Sequence, residues 1–273
     1  MIAAAAFGCG LIAGAWYLAR MRPLPAVPPV GAVTGVDVVI PARNEAAHLG
    51  HLLRSLDQSA TVHKVIVVDD SSTDATSEVA GAHGATVLRL DGEPPAGWTG
   101  KAYACSRGAA LATAPVLVFL DADVTLHDGA IDRLLAAHEA RGGLISVQPF
   151  HRVLRRHEQL SAVCNAVTMI GSGAFAAWPP VRRPVAFGPC LVTGRTDYER
   201  VDGHASVAGE VVEDVQLARR YAAHDLPVTV FTGGDSISFR MYPDDVAQLV
   251  EGWTKNLTAG SRHADPVAVE IAV

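Results

Sequence analysis

The chain has 273 residues, 49% of them hydrophobic and 18% charged, with a formal net charge of -6. That length is enough for one large α/β core or two small ones, and the acidic balance excludes the basic footprint of a nucleic-acid-binding protein. Four cysteines, Cys9, Cys105, Cys164 and Cys190, stand far apart with no CxxC pair, which predicts reduced thiols and a cytosolic setting for the globular part.

Ile2 to Ala19 is an uncharged run rich in Ala, Gly, Leu and Ile, just long enough to cross a bilayer as a helix. Trp16 and Tyr17 stand at its end, as an interfacial belt requires, and Arg20 and Arg22 after it put the following domain in the cytoplasm. A cleaved signal peptide carries its charges before the apolar segment, and none is there. A single membrane anchor is the preferred reading and a buried helix the alternative. PLPAVPP, Pro23 to Pro29, then makes a stiff linker.

VDVVIP, from Val36, reads as a short buried strand followed by the turn Ala42, Arg43, Asn44. Asn44 suits an N-cap, and Leu49, Leu52, Leu53 and Leu56 form a helical stripe for the sheet. A second strand, Val65 to Val68, ends in Asp69, Asp70, Ser71, Ser72, Thr73 and Asp74. Capping of the next helix, which stops at Gly84, accounts for one or two of these polar residues and not for all. A third strand, Ala85 to Leu90, leads to the loop DGEPPAGWTGK. Its GWTGK is not a Walker motif, because the glycines are too close and Ala102 follows the lysine. Lys101, after Gly and before the helix Ala102 to Thr113, can still reach a phosphate.

Val116 to Val124, VLVFLDADV, is the centre of the pattern. Five apolar residues read as a strand buried on both faces. Asp121 and Asp123, two apart at its end, are expected to project to one side, into the crevice where open α/β sheets bind ligands. Two such carboxylates repel unless a cation lies between them, and a hard divalent metal completed by substrate phosphates answers that need. Helix capping is the alternative. A helix with Ile131, Leu134 and Leu135 inward follows, ended by Gly142, and then a strand from Leu144 to Val147. The alternation of strands and helices predicts a doubly wound parallel sheet.

His157 to Trp178 is almost uncharged, and Pro179, Pro180, Arg182 and Arg183 follow. Its GSGAFA run follows no strand and is not a dinucleotide fingerprint. The segment reads either as a small-residue helix lying along a membrane surface or as a plain core helix. Glu210, Glu213 and Asp214 open a helix running to about Ala223. The helix macrodipole explains acidic residues there, and at a crevice they can instead accept a proton. Strands at Pro227 to Phe231 and Ser236 to Met241 and a helix carrying Gly252, Trp253, Thr254 and Lys255 close the pattern. The histidines form no metal pattern.

Taken in order, VIPARNE, VVDDSSTDAT, GWTGK, FLDADV, FGP, VVEDVQLARR and FRMY with EGWTK resemble the family 2 glycosyltransferases, and within them the membrane-anchored branch acting on carotenoid or hopanoid lipids. The resemblance spans about Val36 to Lys255. It implies a GT-A α/β fold, a Rossmann-like, doubly wound, mostly parallel sheet with an N-terminal membrane helix. The organisation expected is an anchor at 1–22, a linker at 23–35, a transferase domain at 36–260 and a tail at 261–273. Within the domain, 36–125 is the nucleotide-sugar half and 126–260 the acceptor half. Because this branch commonly continues into further transmembrane helices, VAVEIAV is expected to begin one.

The resemblance also implies roles. Pro41, Ala42, Arg43, Glu45 and Asp70 bind the nucleoside of a UDP-sugar, with Asp70 accepting from the uracil ring. Asp121 lies by the ribose, and Asp123, with Asp121 as a second candidate ligand, holds Mg2+ or Mn2+ on the diphosphate. Lys101 adds positive charge as the diphosphate leaves. Asp214 is the catalytic base and Glu213 its support. The Gln-pair motif of processive synthases is absent, which implies addition of a single sugar to a lipid acceptor. A GT-A nucleotidyltransferase, which leaves Asp214 without a task, and a silent membrane-anchored scaffold, whose carboxylates would be eroded, are the competing readings. An acid acceptor is already ionised and needs no base, so an intact Glu213 and Asp214 favour a hydroxylated one.

Overall fold

The computed structural model describes residues 14–26, 35–57, 59–177, 184–241 and 246–261. In chain order the elements are α1 (residues 14–18), β1 (Val36–Ala42), α2 (Ala46–Leu56), β2 (Val62–Asp70), α3 (Thr76–Ala82), β3 (Thr86–Leu90), α4 (Gly100–Leu111), β4 (Val116–Leu120) and β5 (Val124–Leu126). There follow α5 (Ala130–Arg141), β6 (Leu144–Gln148), β7 (Phe150–His151), α6 (Glu158–Ser172), β8 (Cys190–Gly194), α7 (Arg195–Arg200), a 3-10 turn (Gly203–Val207), α8 (Glu213–Ala223), β9 (Val228–Thr232), β10 (Ile237–Phe239) and α9 (Val246–Ser261). They divide into two compact units, one of Pro23–Phe150 with Ala186–Phe239, the other of Met1–Arg22, His151–Val185 and Arg240–Val273.

The larger unit is built on a seven-stranded sheet in the order β3-β2-β1-β4-β8-β6-β9. Its apolar strands alternate between two layers. Val38, Ile40, Val118 and Leu120 face a core with Leu49, Leu52, Leu53 and Leu56 of α2, while Val39, Leu117 and Phe119 face one with Ala104, Cys105 and Ala109 of α4 and Leu217 and Tyr221 of α8. Each large side chain so buried contributes roughly 1.5–3 kcal/mol. Gly108 is glycine because α4 crosses the sheet closely: a Cβ there would lie 2.4 Å from Val39 Cγ1.

The strands β1, β2, β3 and β4 are mutually parallel, and β2 and β4 flank β1 on opposite sides. The strand order therefore reverses at β1, which opens a crevice at the carboxyl ends of β1 and β4. The sheet is mostly, not wholly, parallel, because β8 runs antiparallel to both β4 and β6. That strand escapes a periodicity reading: Cys190 to Thr193 is short and lies directly behind Gly188 and Pro189.

Several local expectations are corrected. Strand β4 ends at Leu120, and Asp121 and Asp123 flank a turn closed by Val124 N donating to Asp121 O at 3.2 Å, so they do not share a strand face. The next element is β5, which pairs antiparallel with β10, rather than a helix. Asn44 does not cap α2. It has φ 57, the N-cap position is Glu45, and the Asn44 side chain is used elsewhere. Leu24, within the stretch read as a spacer, is 2% exposed and packs in the first core.

The smaller unit contains α1, α6 and α9. Trp253 Nε1 donates to Ser161 Oγ at 2.7 Å, and Arg240 forms an ion pair with the fully buried Glu158. Tyr17 is buried with Ala176, and Arg20 N donates to Phe175 O at 2.9 Å, so this ring lies inside protein and not in an interfacial belt. Residues 1–13 of the expected anchor, together with Pro179, Pro180, Arg182, Arg183 and the tail from 262, lie outside the described residues. Among the described residues no helix is long and apolar enough to cross a membrane.

Candidate active site

The polar run after β2 is mostly a latch. Strand register sets Ala42 beside Asp69, which brings the β1–α2 turn against the β2–α3 turn. There Asn44 N donates to Ser72 Oγ at 2.9 Å, Glu45 N to Thr76 Oγ1 at 2.9 Å and Ala46 N to Asp74 Oδ2 at 3.1 Å. In return Thr73 N donates to Asn44 Oδ1 at 2.9 Å. The orphan N–H groups that open α2 are thus satisfied from the neighbouring loop, which is why so many acceptors and hydroxyls crowd one segment. Sequence reading sees the excess without the second loop it serves.

The latch separates the two aspartates that end β2. Asp69 accepts from Ser72 N at 2.8 Å and from Ser77 Oγ, and despite its burial these bonds hold its carboxyl below the usual range. Asp70 is also buried, but its ion-pair partner is Arg43 Nη1 at 3.8 Å, and desolvation raises its pKa. Because the guanidinium is 56% exposed, that pair is weak. Gly100 opens α4 directly beside it: a Cβ there would come 2.4 Å from Asp70 Oδ2. Asp70 is therefore the member of the pair with acceptor capacity to offer a ligand.

At the end of β4 the charges converge on Lys101. Its Nζ lies 2.7 Å from Asp121 Oδ1 and 3.4 Å from Glu213 Oε1. Thr99 caps α4, with its side chain accepting from Ala102 N, and its own N–H donates to Ala208 O at 2.7 Å, which fixes the lysine's loop against the approach to α8. Burial opposes the charge on Lys101, but Asp121 and Glu213 outweigh it and hold its pKa well above the ordinary value. Gly188, from the FGP segment, fits between the charged groups. A Cβ there would lie 3.2 Å from both Asp214 Oδ2 and Lys101 Nζ.

Asp214 and Asp123 are both raised toward neutrality. For Asp214 the causes are burial and then the adjacent Glu213, and for Asp123 they are burial, Asp121 and Glu45. The crevice lining includes Pro41, Lys101, Phe119, Asp121, Gly188, His204 and Glu213. His204 was not singled out by sequence reading. Its backbone N–H donates to Tyr198 Oη at 3.1 Å, and the same hydroxyl is hydrogen-bonded to His204 Nδ1 at 2.9 Å, which fixes the ring in place. Burial and the charge on Lys101 push its pKa down to about 3. The available signal was the turn before it, since Asp202 has φ 65 and Gly203 lies against the Tyr198 ring.

The expected site residues thus fall into three sets. Asp121, Lys101, Glu213 and Asp214 meet at the crevice, with Asp123 one turn beyond. Arg43 and Asp70 lie at the adjoining strand end. Pro41 lines the crevice, Ala42 is buried in the core, and the Glu45 carboxylate bonds His48 Nδ1 at 3.0 Å. A divalent ion fits this donor set: Asp123 is a desolvated carboxyl crowded by Asp121 and Glu45. Among the described residues no group of three or more His, Cys, Asp or Glu gathers as a complete cage. One or two carboxylates completed by substrate phosphates is the usual arrangement for magnesium-like ions.

A strand-order reversal with paired aspartates at its carboxyl edge defines the class of GT-A folds, and the solved structures agree. A mannosyltransferase from Pyrobaculum calidifontis, in complex with GDP-Man and Mn2+, matches with TM-score 0.62 at 18% identity, over 97% of this chain and 75% of that one. Glucosyl-3-phosphoglycerate synthase from Mycobacterium tuberculosis, in complex with Mn2+, UDP and glucosyl-3-phosphoglycerate, matches with TM-score 0.52 at 18% identity, over 88% of each chain. Residues 37–162 match the model of Glycosyl transferase family 2. The 4,4'-diaponeurosporenoate glycosyltransferase of Staphylococcus aureus (strain USA300) is 39% identical over 235 residues, which are 85% of this chain. The chain spans 63% of that relative's length.

Proposed function

We propose that this protein is an inverting, non-processive hexosyltransferase that moves a glucose-like sugar from a UDP-sugar to a hydrophobic lipid acceptor, a carotenoid or other polyisoprenoid. The observation that carries this reading is the meeting of Asp214, Glu213, Lys101 and Asp121 around Gly188 at the carboxyl edge of the sheet. A nucleotidyltransferase has no use for the proton acceptor, and a silent scaffold has no reason to keep the four charges together.

Asp70 accepts from the uracil ring, with Arg43 and the Pro41 turn alongside. Asp121 lies by the ribose, and Lys101 compensates charge on the diphosphate. Asp123, with Asp121 as the second ligand, would hold Mg2+ or Mn2+, which would supply further electrostatic stabilisation of the leaving diphosphate. Asp214 takes the proton from the acceptor hydroxyl as its oxygen attacks the anomeric carbon from the face opposite the diphosphate. The bond from that carbon to the diphosphate oxygen breaks, and UDP departs with the electron pair. The neighbouring Glu213 keeps Asp214 basic enough for this.

The Staphylococcus relative supports a carotenoid-type acceptor by its name, which is that of a carboxylate, so the hydroxyl is argued from Asp214 and Glu213 alone; the Mycobacterium synthase, crystallised with UDP and Mn2+, supports the donor and metal class. Cell-membrane attachment through the N-terminal apolar run, with the catalytic unit on the cytoplasmic side, completes the reading. Incubation of the full chain with UDP-glucose, Mn2+ and a hydroxylated carotenoid in vesicles tests it. Formation of one β-linked glucoside and free UDP, lost in Asp214→Asn, is expected; UDP-glucose left intact with every acceptor overturns it.

A further inference from the structure

Helix α6 is inside out. Its buried positions are Glu158, Ser161, Asn165 and Met169, three of them polar, while Leu160, Val163 and Val167 are 53%, 60% and 50% exposed. A helix packed in water shows the opposite arrangement. The polar side is nevertheless well satisfied. Glu158 pairs with Arg240 and accepts from the N–H groups of Leu154 and Arg155, and Ser161 accepts from Trp253 Nε1. These bonds fix the rotation of the helix and hold its apolar side outward.

That side is a continuous stripe, since positions three and four apart are neighbours on a helix surface. Leu154 just before it is 65% exposed, and α9 in the same unit exposes Val246 and Val250. Among the described residues, the charged side chains exposed just before α6 are all basic. Arg152, Arg155 and Arg156 are exposed within five residues, and the next acidic side chain, Glu158, is buried on Arg240. In a chain of net charge -6 this is a local reversal.

We infer that α6 is a membrane-docking face, whose stripe Leu160, Val163 and Val167 enters the acyl boundary of a bilayer while Arg152, Arg155 and Arg156 rest on anionic phosphate headgroups. Apolar residues on one side and arginines at the edge are what an interfacial helix requires. A protein partner is the poorer fit, because the stripe has no aromatic ring of the kind that anchors such interfaces. The inference does not depend on the sugar-transfer reading and stands or falls without it.

Amide hydrogen exchange of the full chain, resolved by peptide, tests it with vesicles of phosphatidylcholine alone and of phosphatidylcholine and phosphatidylglycerol in equal parts. Exchange across Glu158–Ser172 is expected to slow on the mixed vesicles. The slowing should disappear in Val163→Asp/Val167→Asp, whose exposed positions leave the fold intact. Replacing the three arginines by glutamine should reduce the slowing in α6 on the mixed vesicles to the level seen on phosphatidylcholine alone. Unchanged exchange in α6 while the chain sediments with vesicles overturns the inference, because attachment then runs through other residues. Absence of vesicle binding overturns it as well, and so does slowing without vesicles that scales with protein concentration, which assigns the face to a second copy.

Discussion

Lys101 Nζ lies 2.7 Å from Asp121 Oδ1, and with Glu213 Oε1 at 3.4 Å the lysine is held between two carboxylates from different elements. In the free protein Lys101 therefore serves as the counter-ion of the crevice. Lys101→Met removes that charge, and two effects of opposite sign should follow. Turnover should fall about 100- to 1,000-fold, the scale for deleting one group that stabilises developing negative charge. Mn2+ binding without nucleotide, followed by the loss of the free-ion paramagnetic resonance signal, should tighten, because the carboxylates no longer have the lysine.

Asp214 has its pKa pushed up to about 7 by burial and Glu213. A base acts when deprotonated, so turnover with an alcohol acceptor should rise with pH through about 7 and level off above it. Asp214→Asn should cost about 100- to 10,000-fold and remove that limb. With a carboxylate acceptor, which is ionised across this range, the variant should keep its rate. A stopped assay over pH with both acceptors reads this directly, and equal losses with both would remove the argument for a hydroxyl substrate.

Gly188 allows Asp214 and Lys101 to approach one another. Gly188→Ala puts a methyl group 3.2 Å from each, so kcat should fall with the melting temperature nearly unchanged. Gly108→Ala makes the reverse pair, since its Cβ would strike Val39 Cγ1 and Val68 Cγ2 in the core. That variant should lose about 1–3 kcal/mol of stability through overpacking. Thermal denaturation and steady-state rates on the two variants separate the roles.

Asp37 lies on β1 at the end away from the crevice and is fully buried. Ala114 N donates to it at 2.8 Å, Thr113 N also donates, and His63 Nδ1 is at 2.8 Å. Burial works against the carboxylate, but these partners outweigh it and depress the pKa below 3.8. Its stabilising contribution is thus complete above the unfolded value and is lost as pH falls through the lower folded value. Asp37→Ala should lower stability by about 1–3 kcal/mol near neutrality, with the deficit shrinking in acid. Urea denaturation at several pH values measures it.

Much of this was legible in the sequence where a signal is local. The run Val116 to Leu120 and the stripe Leu49, Leu52, Leu53, Leu56 fold as their periodicity requires. What the sequence hid depends on pairs distant along the chain. The excess polar residues after β2 make sense only against the β1–α2 turn, and the antiparallel β8 shows no apolar run long enough to be read. Asp121 and Asp123 were found for chemical reasons, although the strand geometry first used to pair them gives way to a turn. Gly188 and His204 escaped assignment because their work is steric or depends on a partner ring.

The central claim is that Asp70, Lys101, Asp121 and Asp123 form a metal-assisted UDP site. Calorimetric titration of the full chain with UDP, GDP and dTDP, each with and without Mn2+ and repeated on Asp123→Ala, tests it most directly. The account predicts UDP binding that requires Mn2+ and is lost in the variant. Binding of none of the three nucleotides, or UDP binding unchanged by Mn2+ and by Asp123→Ala, would contradict it.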